Sequence, residues 1–118
     1  MGGGNHFPGT TSLDGITLIY TVRDIIKEFA RHGVRKLTVM VGHYENTMFT
    51  IEGIDLALRD LRADGVHDMK IARTDYWDFI SNDTIARVWT EGFPGWATEH
   101  AGVMETSIML NLFPELVD

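Results

Sequence analysis

The sequence predicts an α/β fold with a parallel sheet covered on both faces. Helical stretches alternate with short, β-branched apolar runs, the pattern of βαβ units. Polar-aromatic clusters follow directly after those runs, where open parallel sheets bind ligands. The 118 residues, 44% hydrophobic and 23% charged, bound the chain to one domain with a core.

The first stretch, GGGNHFPGTTS, reads as a loop with a turn at Pro8-Gly9. Ser12 or Asp14 can then cap a helix in which Leu18, Val22, Ile25 and Phe29 recur at helical spacing, with Ile19 and Ile26 beside them, until Gly33 stops it. KLTVMV, Lys36 to Val41, is a strand expected to be buried on both faces. Asn46 or Thr47 can cap a second helix with Ile51, Ile54, Leu58 and Leu61 on its core face and Gly65 at its end. A weaker strand, Met69 to Tyr76, leads into Trp77-Asp78-Phe79. Ser81 to Thr84 can cap a short helix reaching Trp89, which is assigned to the core. After the glycine-containing loop Glu91 to Trp96, a last helix is expected from about Ala101 to Leu112, ended by Pro114. Only two strands emerge, so the sheet looks unfinished: more strands lie in the loops, or the chain is part of a larger domain, or a partner completes it.

The chain carries 10 basic and 17 acidic residues, a formal net charge of −7, and no basic cluster. Nucleic acid and anionic membranes are poor partners for it. Cysteine is absent, which removes disulfides, thiolate chemistry and thiolate zinc sites. With no leader-like segment and no apolar run of about 18 residues, the expectation is a cytoplasmic protein. G-x-G-x-x-G after a strand is missing, so a dinucleotide site is rejected. The six methionines read as core filler.

Five histidines remain as candidates for chemistry. His43 and Glu45 follow the first strand two residues apart, so extended backbone can present an imidazole and a carboxylate to one metal ion. The bland alternative is a polar loop with Glu45 stabilised near a helix N-terminus. His100 precedes an apolar helix, with Glu99 beside it and Glu105 a turn later. Either carboxylate can orient the imidazole for general acid–base work, and an ordinary helix-start histidine is the alternative. Trp77 and Trp96 lie in loops and can wall a flat, neutral or cationic ligand. His6 reads as structural, and His32 and His67 sit at the other edge of the sheet without assignment.

These residues carry a resemblance. GGGNHFPGTTSLDG (2–15), GHYEN (42–46), EGIDLAL (52–58), YWDF (76–79) and GWATEHAGVMETS (95–107) closely resemble the creatininase family of creatinine amidohydrolases, in matching order along the whole chain. The resemblance implies a three-layer α/β/α fold with a mostly parallel sheet, assembly as a homo-hexamer, and two divalent metal ions, zinc and manganese. The implied reaction interconverts creatinine and creatine by adding water to a cyclic amide. It implies that His43 and Glu45 ligate metal, with Glu45 next to the bridging water, and that Tyr44, Trp77 and Trp96 line and close the substrate pocket. His100 would contact substrate and move a proton, with Glu105 supporting it. Such a site needs no serine or cysteine nucleophile.

The sequence departs from the family in two ways. Family members are about twice this length, and their remaining ligands, a glutamate, a histidine and a bridging aspartate, lie in an N-terminal region without counterpart here. Met1 stands where the family has a substrate-contacting serine, and Ala97 replaces an aspartate. Two alternatives therefore stay open: a catalytically silent metal-binding or assembly module, and an amidohydrolase acting on another amide such as a formamide.

Overall fold

The computed structural model describes residues 8–118, so His6 and the three N-terminal glycines lie outside the described residues. The chain divides into two compact units, one ending at Tyr76 and the other running from Trp77 to Asp118. The first contains α1 (Gly15–Arg31), β1 (Lys36–Val41), α2 (Thr47–Ala63) and β2 (Lys70–Asp75). The second contains α3 (Asn82–Val88) and α4 (Val103–Leu112). No described helix is long and apolar enough to cross a membrane.

Both long helices end as the glycines demand. Gly33 and Gly65 adopt φ of 91° and 86°, a conformation that costs residues with a Cβ. Each closes a paired-carbonyl cap: the Val34 N–H donates to Phe29 O and the Val66 N–H to Leu61 O, satisfying carbonyls that the helix leaves open.

β1 and β2 pair in parallel, with Val39 opposite Arg73 and Val41 opposite Asp75. The expectation that β1 is buried on both faces is corrected. Its residues alternate, with Leu37, Val39 and Val41 turned inward and Lys36, Thr38 and Met40 exposed. Two described strands with helices packed on one face leave the opposite face open.

The core consists of Ile26 and Ala30 from α1, Ala57 and Leu61 from α2, and Met69, with Leu37 and Ile71 of the strands packed against it. Of the expected helix faces, Val22 and Ile26 in α1 and Ile54, Leu58 and Leu61 in α2 do meet the core, while the rest of each face shifts. In α1, Ile25 and Phe29 are exposed while Ile26 and Ala30 are buried. In α2, Ile51 is exposed and the contact runs through Thr50, Gly53, Ala57 and Leu61, because α1 comes too close for large side chains. A Cβ placed on Gly53 would lie 2.7 Å from the Ile19 carbonyl oxygen and 2.8 Å from Val22 Cβ. The methionines are likewise not uniformly core, since Met40 and Met48 are exposed and Met69 is buried.

In the second unit, the Ser81 hydroxyl accepts the Thr84 N–H at 3.1 Å and caps α3, as its sequence implies. Trp89 terminates this helix and is half-buried, not core. α4 starts two residues later than expected, because Ala101 has φ of 51° and cannot begin a right-handed helix.

Two predictions follow from the α1–α2 contact. Gly53→Ala gains about 0.5–1 kcal/mol of helix propensity and loses roughly 1–3 kcal/mol to overpacking against rigid backbone. Urea denaturation is expected to show a net loss of stability, and an equal or more stable variant would mean that the helices can separate at no cost. The second concerns Lys27 Nζ, which donates to Asp60 Oδ2 at 2.8 Å across the two helices. That hydrogen bond, helped by the positive charges of Lys27, Arg23 and Arg59, holds the Asp60 carboxyl below its ordinary range against the opposing effect of desolvation. The pair's contribution is therefore present above about pH 4 and lost as pH falls through the lowered folded value. Both groups are partly exposed, so the effect is small and screened by salt. In low salt, Lys27→Met is expected to flatten the acid limb of a stability–pH curve, and an unchanged limb would remove the pair from the acid response.

Candidate active site

β1 ends at the buried Val41, and Gly42 releases the chain at the carboxyl end of the sheet. His43 is still extended, with φ −145° and ψ 126°, after which Tyr44–Asn46 forms a single 3₁₀ turn. The Asn46 N–H donates to His43 O at 3.0 Å and closes it. The turn brings His43 Nε2 to 3.5 Å from Glu45 Oε2, with both side chains part-exposed. Tyr44 between them is exposed. Glu45 also lies just before the start of α2, where the alternative sequence reading put it.

The spacing fits a shared cation. Zinc ligands about 2.0–2.2 Å from the metal at tetrahedral angles stand roughly 3.4 Å apart. The same distance is too long for a good hydrogen bond between the two. Among the described residues, no group of three or more histidine, aspartate or glutamate side chains converges to hold a metal.

Sequence reasoning missed Asp75 at the end of β2. It is buried, with 5% of its surface exposed, and accepts Arg73 Nη1 on both oxygens at 2.8 and 2.7 Å. Its Oδ1 also accepts the Thr47 hydroxyl at 3.3 Å. The alternation of β2 that places Arg73 and Asp75 on the core face was the available signal.

In the second unit, Trp77 and Trp96 come together as the sequence reading supposed. Their rings stack with centroids 6.0 Å apart and planes inclined by 22°. Trp77 is buried and Trp96 half-buried. Two further rings join them, the unassigned Phe93 and Trp89, which was expected in the core: Phe93 lies edge-on to Trp96 at 4.5 Å, and Trp89 meets both Phe93 and Trp96 at 4.9 and 5.9 Å. The spacing of Trp89, Phe93 and Trp96 in a glycine-containing loop was the signal for this cluster.

His100 is exposed, and the backbone on either side of it is tied down. Its N–H donates to Thr98 O at 3.1 Å. The next residue, Ala101, donates its N–H to Glu105 Oε2 at 2.7 Å, and its carbonyl accepts the Thr106 hydroxyl at 3.0 Å. Glu105 therefore acts on the chain at His100 through the Ala101 amide. Glu99 is buried, and its Oε2 accepts the Met104 N–H at 3.0 Å in the first turn of α4. A helix N-terminus favours such a carboxylate.

The parallel strands with helices between them define an α/β protein, and its polar and aromatic clusters lie in loops that follow the strands. Residues 2–118 match the Creatininase family, creatinine amidohydrolase, and the chain belongs to that family. It is 62% identical over 118 residues to the creatinine amidohydrolase of Pseudomonas putida, covering 99% of this chain and 45% of that protein. A creatininase structure described with manganese is 62% identical with a TM-score of 0.90. A glutamate-to-glutamine mutant creatininase complexed with creatine is 61% identical with a TM-score of 0.92. Each alignment covers 99% of this chain and 46% of the solved one. The chain thus spans under half the length of these relatives, and it shares their α/β fold with a parallel sheet.

Glu99→Ala is expected to remove a charged acceptor from the start of α4 at a cost of about 1–2 kcal/mol, whereas Glu99→Gln keeps most of it. Faster amide exchange at Met104 in the alanine variant alone would bear this out. Equal exchange in wild type and Glu99→Ala would deny the cap.

Proposed function

We propose that the protein is a metal-dependent amidohydrolase that interconverts creatinine and creatine, working as a single creatininase-like domain. The observation that carries this reading is the 3.5 Å His43–Glu45 pair beyond the carboxyl end of β1, in a chain of the creatininase family. Support for the metals comes from the relative described with manganese, and for the substrate from the relative complexed with creatine. Zinc suits the same imidazole and carboxylate donors.

On this reading His43 and Glu45 hold one side of a site for two divalent ions, zinc or manganese, which supply a nucleophilic hydroxide and polarise the lactam carbonyl. Glu45 also orients the attacking water. Tyr44, Trp77 and Trp96 present aromatic faces to the planar, guanidine-like ring and exclude solvent. His100 contacts substrate and delivers a proton to the amide nitrogen as its bond to carbon breaks. Glu105 supports His100 by holding the Ala101 amide. The protein is further read as a cytoplasmic homo-oligomer, hexameric as in the family. Exposed large apolar side chains such as Ile25, Phe29 and Met48 support association.

A second reading, a metal-binding or assembly module without turnover, is favoured by the two-donor count among the described residues. Titration with Zn²⁺ or Mn²⁺ and assay of creatine formation separate the two. His43→Ala is expected to weaken metal binding at least tenfold. His100→Ala is expected to lower kcat by about 10²–10⁴-fold with metal content unchanged. Metal uptake without any creatine formation by the unaltered protein would favour the silent module.

A further inference from the structure

We propose that Asp75 is a positioning residue that fixes the turn bearing His43 and Glu45, an inference that rests on the metal-site reading above. Asp75 grips that turn at both ends. Through the sheet it stands opposite Val41, the last residue of β1 before the turn. Through its side chain it accepts the hydroxyl of Thr47, the first residue of α2 after the turn. The segment carrying both metal donors is therefore a loop that leaves from the backbone opposite Asp75 and returns to its carboxylate.

The carboxylate is itself aimed. Arg73 Nη1 reaches both oxygens from two residues back on the same face of β2, which sets the rotation of the group and directs Oδ1 towards Thr47. Stability alone is a poor account of this pair. It occupies the strand face that carries Ile71 into the core, and a buried ion pair at such a place is often no more stabilising than apolar residues of equal volume. What an apolar pair cannot do is accept the Thr47 hydrogen bond. Ligand-bearing loops need such outer contacts, because donors free to swing lose affinity when they must be ordered around the ion.

The test compares Thr47→Val, Asp75→Ala and the double variant, using Zn²⁺ alone as titrant and amide exchange at Asn46, whose N–H closes the turn onto His43 O. Each single variant is expected to speed Asn46 exchange and to weaken Zn²⁺ binding about tenfold. The double variant is expected to be no worse than Asp75→Ala alone, since that change already removes the acceptor of the Thr47 hydroxyl. Thr47→Ser should restore wild-type values. If Asp75→Ala does not fold, Thr47→Val with its serine rescue carries the test. Wild-type exchange and Zn²⁺ affinity in Thr47→Val would overturn the proposal. Zn²⁺ binding unchanged in His43→Ala/Glu45→Ala would instead overturn the metal reading, and Asn46 exchange would then decide the anchoring alone.

Discussion

The close approach of α1 to α2 at Gly53 sets the geometry of the first unit. With no Cβ at Gly53 and only a methyl at Ala57, the two helix backbones meet almost directly, and Ile26 and Leu61 fill the space beneath. Leu37 and Ile71 rest on that layer, so the strands take their height and direction from the helix pair. The point at which β1 stops and the chain turns through His43 is therefore inherited from a contact several residues away. Packed interiors transmit a methyl-sized change rather than absorb it. Enlarging Gly53 would move the strand ends together with the core.

How legible this was depended on what each residue demands of its surroundings. Gly33 and Gly65 were readable as stops because the left-handed conformation that closes a helix is expensive for other residues, and both adopt it. The run from Lys36 to Val41 is a strand over its whole expected length. The burial of the apolar stripes was read in part: Val22, Ile26, Ile54, Leu58 and Leu61 do meet the core, but hydrophobicity tells which side chains can be buried and not which partner arrives. Ile25 and Ile26 are chemically alike and adjacent, and only the approach of α2 selects Ile26. A contact built from glycine and alanine is nearly invisible to a count of large apolar residues. Ala101 misled for the converse reason, as nothing in an alanine announces a positive φ, which here is held by Glu105 and Thr106 bonding its amide and carbonyl.

The candidate site was legible in its parts and not in its supports. His43, Glu45, Trp77 and Trp96 stand out in a sequence because imidazoles, carboxylates and indoles in loops after strands are few. The groups that hold them are ordinary: a threonine hydroxyl, an asparagine amide, an arginine on a strand, a phenylalanine in a loop. Their importance comes from direction and distance, which depend on the fold. The 3.3 Å contact of Thr47 with Asp75 has no counterpart in composition or spacing, whereas Phe93, 4.5 Å from Trp96, is signalled only by its place between two tryptophans.

The surroundings of four carboxylates sort them by task. Asp75 is buried against a guanidinium, Glu99 is buried against the amide at the start of α4, and Glu105 accepts an amide two residues before that helix. Each bond is short and charge-assisted, so enlisting any of these groups as a metal ligand would mean breaking a contact that shapes the local backbone. Glu45 differs in kind. Its side chain is part-exposed and its Oε2 lies 3.5 Å from His43 Nε2 in the turn beyond β1. The distinction does not depend on residue type, since Glu45, Glu99 and Glu105 carry the same side chain. It follows from where the backbone places each carboxylate: Glu45 in a part-exposed turn beyond β1, Glu99 buried against the first turn of α4, and Glu105 on the amide that precedes that helix.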